Sequence, residues 1–432
     1  MPNTSLSRTP SSTTNRKTYT FSAWVKLCEA GGNDTILNVG PYDGSKEFRL
    51  TFNGSSQLEF YDYNGSSYEF RYRTDRLFRD PSAWYHIVVL VSTIDVTASD
   101  RIRIYVNGVR ETSFNVSTAP SQNLDTNFNV NNIFYVGSAS NGNYTNGCLS
   151  HINFCDGQAY DANDFGETDA TTGEWKIKTS PSVTYGTNGF FILKDDNSLT
   201  DQSGNSNNFT LASGTLTKTE DCPSNVFATF NGIRPTNETL SKGNTNAGSA
   251  SASWQDITTT LGASSGKFYT EFLCAGSATA FTHGVADLTK INYQGSFIGT
   301  SEGSVGYYHG GQVYVSGAFQ SYGDSYAIGD YIGCALDMDN NKVYFSKNGV
   351  WQNSGDPTSG ATGTGAISLP TTGTYGFGTA NKDDSTTRAN FGNGYFGTTA
   401  VSSAGTNASG NGIFEYDVPT GYTALSTKGL NL

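Results

Sequence analysis

The chain has 432 residues, a formal charge of −12, 50 Gly, 25 Tyr and 26 Phe, and only 15 % charged residues. That length predicts two or three domains, and so many aromatic rings exclude a disordered chain. The acidic balance, without clustered Lys and Arg, argues against a nucleic-acid partner. The first residues lack the apolar stretch of a signal peptide, and no segment reads as a membrane span. A protein of this kind working outside a cell is expected to leave by lysis or as part of a particle.

In Tyr19–Leu27 the odd positions are apolar, while Thr20, Ser22, Trp24 and Lys26 alternate with them. Period two predicts a half-buried strand. Trp84–Val91 is a near-continuous apolar run, as expected at the centre of a sandwich. Arg101–Val109 alternates and then turns at Asn107 and Gly108, a pair that tolerates positive φ. Asp161–Glu167 is the best candidate for a helical turn. Residues 212–262 are polar and turn-rich and read as a junction, with the boundary at Asp221–Asn225. Within it Lys242–Ser253 is small and polar, a loop or flexible connection. Further on, Lys342–Ser346 is a strand between a turn at Asp339–Asn341 and a second Asn–Gly pair, Asn348 and Gly349. The prediction is an all-β protein of two antiparallel β-sandwich (jelly-roll) domains in tandem. They span residues 1–220 and 263–432, with a junction and leading strand over 221–262.

The pattern offers little for catalysis. Glycoside hydrolysis needs two carboxylates flanking one bond. Glu59 and Asp62 are the nearest pair, but their odd spacing puts them on opposite faces of a strand, and they read as a solvated rim. Gly262–Gly266 and Gly299–Gly303 match the G-x-S-x-G nucleophile elbow, which needs a strand before it and a helix after it. The first is followed by the strand-like Lys267–Phe272, and matches are frequent in a chain so rich in Gly and Ser. His86 and His151 sit among apolar strand residues and read as core or edge histidines. Six cysteines, at 28, 148, 155, 222, 274 and 334, read as buried thiols rather than a disulfide framework, which fits assembly in a reducing cytoplasm. No C-x-x-C or H-x-x-x-H pattern marks a zinc site. Asp337–Asn341 imitates the start of a calcium loop but lacks its later ligands, so it reads as a hairpin turn. Asp195, Asp196, Asp201 and Asn205 form a better oxygen-rich loop, open to calcium or to an ordinary Asx-rich turn.

Recognition is the natural use of the loops. Sugar rings stack on aromatic faces, and Asn and Asp bond their hydroxyls. The candidate rim residues are Tyr42, Asp43, Tyr61 and Tyr63 in the first half, and Trp254, Tyr307, Tyr308, His309 and Tyr322 in the second.

Tyr19–Lys26, Trp84–Val89, Ile104–Val109, Phe134–Ser138 and Asn146–Ala159 occur in the order seen in concanavalin A-like, laminin-G-like lectins, and residues 1–165 resemble that superfamily. The resemblance implies a lectin-type sandwich, with calcium at its rim as an option. A narrower likeness is carried by Leu6–Ser12, Asp164–Glu167, Gly173–Lys176, Tyr185–Phe190, Asp201–Phe209 and Pro223–Asn231. These segments resemble a module of structural and tail-fibre proteins of marine tailed phages. Ser265–Phe272, His283–Ala286, Ser304–Gly311, Gly329–Trp351, Tyr375–Gly378 and Ala389–Gly392 resemble a SPRY domain, and Val418–Leu425 resembles the end of phage proteins that bear one. Together these imply a virion structural protein without enzymatic activity and without a required cofactor. It is expected in the tail rather than the capsid, assembled in the host cytoplasm and oligomeric (a trimer first), and recognising a host glycan or protein. A capsid decoration or head-fibre protein, and a polysaccharide-degrading enzyme, are the alternatives.

Overall fold

The computed structural model describes residues 4–40, 45–140, 142–194, 198–232, 238–290 and 297–431. Strand accounts for 44 % of the described residues and helix for 4 %, so the protein is all-β. It divides into two units, Met1–Lys218 and Thr219–Leu432.

In the first unit an eight-stranded antiparallel sheet runs in the order Phe114–Thr118, Tyr68–Leu77, Gln57–Asn64, Lys46–Phe52, Asp34–Val39, Phe134–Val136, Ser5–Arg8, Thr210–Ser213. A six-stranded sheet runs Phe190–Ile192, Gly147–Asp156, Thr18–Leu27, Tyr85–Ser92, Ile102–Val106, Val109–Arg110. Their facing sides hold one aromatic core. Phe128 stacks on Phe48 at 4.6 Å and on Phe134 at 4.9 Å, and Tyr19, Phe60, Phe70 and Phe154 close around them. Such offset and edge contacts stabilise beyond plain burial of area.

The Thr18–Leu27 strand departs from the half-buried expectation: Tyr19–Leu27 are all buried. The outer side of its sheet is covered by the segment after Asp156, which packs Tyr160, Phe165, Trp175 and Tyr185 near Val88 and Cys155. Burying the rings on both sides of the strand explains why Thr20 and Ser22 are small. The helical turn expected at Asp161–Glu167 is a single 3-10 turn, Ala162–Asp164, closed by a capping box between Asp161 and Asp164.

The second unit is another sandwich. One sheet is built on Lys267–Gly276, Tyr331–Asp337, Lys342–Lys347 and Ser385–Asn390. The other runs Gln255–Thr258, Tyr375–Asn381, Phe281–Asp287, Ser304–Tyr308, Gln312–Val315, Ala318–Ser321. The described residues of the expected junction and leading strand, 221–232 and 238–262, are instead part of this fold. Phe230, Ala247 and Ile257 are core residues, Asn246–Ser249 pairs with Ser385–Arg388, and Gln255–Thr258 pairs with Gly378–Asn381. Small polar residues here serve a strand packed closely between neighbours, which composition alone cannot tell from a linker.

Both Asn–Gly turns have the backbone of a type I′ hairpin, with φ of 48° and 81° at Asn107 and Gly108 and of 48° and 80° at Asn348 and Gly349. Each asparagine also clamps the strand beside its hairpin. The Asn107 side-chain oxygen accepts from the His86 N–H at 2.7 Å, and that of Asn348 accepts from the Tyr331 N–H at 2.8 Å. Asn107→Ala and Asn348→Ala each lose this bond and place Ala at positive φ. Each is expected to cost about 1–2 kcal/mol, read as a shift of the denaturation midpoint of the unit concerned.

Candidate functional site

The strands of the eight-stranded sheet turn apolar residues inward, so alternation sets a polar array on the opposite face. Two cross-strand rows run over it: Asn38, Arg49, Tyr61, Arg71 and, beside it, Thr35, Thr51, Glu59, Arg73. A shift in register between Asp62 and Tyr63 brings Tyr68 opposite Tyr63 at one end.

These side chains hold one another in place. Arg49 donates to the Thr35 hydroxyl from Nε at 3.0 Å and from Nη2 at 2.6 Å, and its Nη1 lies 3.6 Å from Glu47 Oε1. Glu47 also accepts from Asn38 Nδ2 at 3.0 Å and from the Tyr61 hydroxyl at 3.0 Å. Burial raises the Tyr61 phenol well above its ordinary pKa, so it stays a donor. Only 9 % of Tyr61 is exposed, so it acts as a support rather than a contact. Tyr68 is the outward ring, 41 % exposed, with its centroid 5.5 Å from Tyr61 and 5.2 Å from Tyr63. The Arg71 guanidinium lies over one face of that ring, 4.4 Å from its centroid, which leaves the opposite face for a ligand. Of the sequence candidates in this half, Tyr61 and Tyr63 meet here, and Tyr42 and Asp43 lie outside the described residues. Sequence reasoning missed Tyr68 and the arginines, because the register shift that turns Tyr68 outward leaves no mark on the alternation.

The carboxylates of this strand pair do not form a hydrolytic pair. Glu59 faces outward and binds Arg71 and Arg73 at 2.5 and 3.2 Å. Asp62 faces the other way, fully buried, and accepts from Asn127 N at 2.8 Å and Nδ2 at 2.6 Å. Burial pushes its pKa up to about 6. Neither sits on the solvated rim expected from sequence, because Asn127 and the two arginines enclose them.

Ser22 and His86 resemble a nucleophile and base, with Oγ 2.9 Å from Nε2, but the proton lies the wrong way. The indole N–H of Trp175 can only donate, and it donates to His86 Nδ1 at 3.0 Å. The neutral ring therefore carries its hydrogen on Nε2 and donates to Ser22. Burial lowers the His86 pKa to about 3, and the ring is stacked on Trp24.

Asp201 sits in an Asx-turn network. Its Oδ1 accepts from Phe191 N and Ser203 N, and its Oδ2 from Asn207 N and Ser203 Oγ, all within 2.7–2.9 Å. Asn205 donates to the carbonyls of Gly186 and Gly189. Asp195 and Asp196 lie outside the described residues, among which no group of three or more His, Cys, Asp or Glu is placed to hold a metal.

In the second unit the candidates separate. Tyr307 is fully buried and Tyr322 nearly so, which corrects their expected rim placement. Tyr307 lies between the sheets against Tyr322, Tyr326 and Phe345, and its hydroxyl donates to the Asp324 carbonyl. Trp254, Tyr308 and His309 do meet on the outer side of the six-stranded sheet. They join Phe297, Tyr314 and Phe319 in a strip of rings with successive centroids 4.2–6.0 Å apart. The strip ends on the edge strand Ala318–Ser321 with Phe319, 67 % exposed.

Comparison with known proteins fits this division. Residues 3–163 match the family described as the concanavalin A-like lectin/glucanases superfamily, and residues 274–368 match the SPRY domain. The chain thus carries a concanavalin A-like module and a SPRY module. Among solved structures, a human SPRY domain is 14 % identical, covering 35 % of this chain and 92 % of its own, with a TM-score of 0.27. The SPRY domain of human HERC1 is 15 % identical, covering 37 % and 96 %, with a TM-score of 0.29. The TRIM65 PSpry domain is 14 % identical, covering 37 % and 90 %, with a TM-score of 0.28.

Proposed function

We propose that this chain is a non-enzymatic recognition protein of a tailed-phage virion, a tail-fibre or receptor-binding component that binds a host surface glycan. The observation that carries recognition is the outward face of the first unit, where Tyr68 lies beside Arg71 within a network of fixed donors and acceptors. An exposed ring flanked by oriented polar groups offers a sugar both its stacking surface and its hydroxyl partners. The occupied state of Glu59 and the inward turn of Asp62 support binding without hydrolysis. The virion assignment rests on the sequence resemblance to phage modules, with the tail as the favoured place and a homotrimer as the favoured assembly. No cofactor is required on this reading, and calcium at the Asp195–Asn205 loop stays a separate proposal.

A second reading, a capsid decoration or head-fibre protein, is favoured by the ring strip ending on Phe319, which suits packing against another virion protein. Purified protein, or antibody against it, is expected to block adsorption of the phage that encodes it. Normal adsorption, with the protein imaged on the capsid, would overturn the first reading in favour of the second.

A further inference from the structure

Arg71 and Arg73 lie two positions apart on one strand, so both project from the same face. Both bind a single atom, Oε1 of Glu59, at 2.5 and 3.2 Å. Two guanidinium groups therefore share one carboxylate oxygen, although each carries five N–H donors. About a quarter of each side chain is exposed, 27 % for Arg71 and 25 % for Arg73. The Arg73 Nε is buried and has no hydrogen-bond partner. Among the described residues of the two rows and Glu47, three guanidinium groups, those of Arg49, Arg71 and Arg73, face two carboxylates, those of Glu47 and Glu59. These described side chains number one more guanidinium than carboxylate, on a chain whose formal charge is −12.

We propose that this face selects an acidic glycan, seating a uronate carboxylate or a sulfate ester on Arg71 and Arg73 while the sugar ring lies against Tyr68. The inference rests on the reading of this face as a glycan site. Guanidinium groups match planar and tetrahedral oxyanions with paired, charge-assisted bonds, which a neutral sugar cannot return. The chain as a whole repels acidic polymers, so the attraction is confined to within about one Debye length of the pair, about 8 Å at physiological ionic strength. Binding is therefore strongly salt-dependent, and each acidic group counts only when it reaches this pair.

The test is calorimetric titration of the full chain with guluronate oligomers, chondroitin sulfate oligomers and neutral cello- and malto-oligosaccharides of matched length. At low salt at least one acidic series is expected to bind at least about tenfold tighter than the neutral ones, and to lose that margin as salt screens the pair. The two acidic series show whether carboxylate or sulfate is preferred. Arg73→Gln is expected to bring acidic ligands down to the level of the neutral ones, a larger loss than it causes in the neutral series. Glu59→Gln, which frees both arginines, is expected to tighten acidic binding, a gain that misfolding cannot produce. Equal binding of acidic and neutral oligomers, or an Arg73→Gln variant that weakens both alike, overturns the inference while the glycan reading stands. Binding of no oligomer overturns both.

Discussion

Replacing Glu271 with Ala is expected to lower the stability of the second unit by about 4 kcal/mol at neutral pH, as the loss of an acceptor from several buried donors. The Glu271 side chain is fully buried on the strand Lys267–Gly276. Its Oε2 accepts from the Glu415 N–H at 2.8 Å, and its Oε1 from the Tyr416 N–H at 2.9 Å and the Tyr269 hydroxyl at 3.1 Å. Those two backbone donors belong to the C-terminal segment that lays Phe414, Val418 and Tyr422 over Tyr269 and Tyr344 on the sheet. Without the carboxylate three donors are stranded, each at about 1–3 kcal/mol, offset in part by removal of a buried charge. Chemical denaturation of the full chain checks this. The transition of the second unit should move to lower denaturant, and that of the first should stay. A shift below about 1 kcal/mol, within the range of a surface substitution, would show that the segment is held by its rings alone.

The same carboxylate gives stability a pH slope. Burial pushes its pKa up to about 7, against the pull of its three donors, from an ordinary value near 4.5. A folded value above the unfolded one favours the protonated form on folding. The stability so contributed is fully present below about 4.5 and is lost as pH rises through about 7. His283 slopes the other way, since burial lowers its pKa to about 3 and folding must keep it neutral as the solution turns acid. The comparison of wild type with Glu271→Gln isolates the carboxylate. The difference between them should change with pH between about 4.5 and 7 and level off above, because the amide does not titrate.

Alternation and turn chemistry made much of the architecture legible: the strand at Thr18–Leu27, both Asn–Gly hairpins and the strand pair around Asp337–Asn341 all stand where period two and turn residues put them. What the alternation could not show is which face meets solvent. Trp24 reads as outward, yet the segment after Asp156 brings Trp175 onto its face, with His86 between the two rings. Tyr307 and Tyr308 are neighbours of one composition, and only the two sheets decide that one enters the core and the other the surface strip. Long-range covering of this kind is a property of the chain path, and a local pattern does not carry it. The outward array was half legible for the same reason. Tyr61 and Tyr63 stood out as rings, whereas Arg71 and Arg73 gain meaning only once Glu59 is seen between them.

Tyr68→Ala is expected to weaken binding of the cognate glycan about 30-fold or more, the size of a hot-spot truncation of about 2 kcal/mol. The ring is the exposed member of a tyrosine trio, and its orientation is set by Tyr61 and Tyr63 on the neighbouring strand and by Arg71 beside it. Removing it deletes the flat surface on which a sugar ring rests and frees the Arg71 guanidinium from a cation–π contact of about 0.5–1 kcal/mol at an exposed site. Stability should change little, because an exposed side chain leaves no cavity in the core. Tyr68→Phe separates the two roles of the residue. It keeps the stacking face and loses the hydroxyl, so binding close to wild type assigns the effect to the ring. Val96→Ser, at a loop residue 84 % exposed in the same unit, serves as the neutral control. Equilibrium binding and thermal denaturation of the variants check the expectation together. Unchanged affinity in Tyr68→Ala, with binding present in the wild type, would move the glycan site off this face.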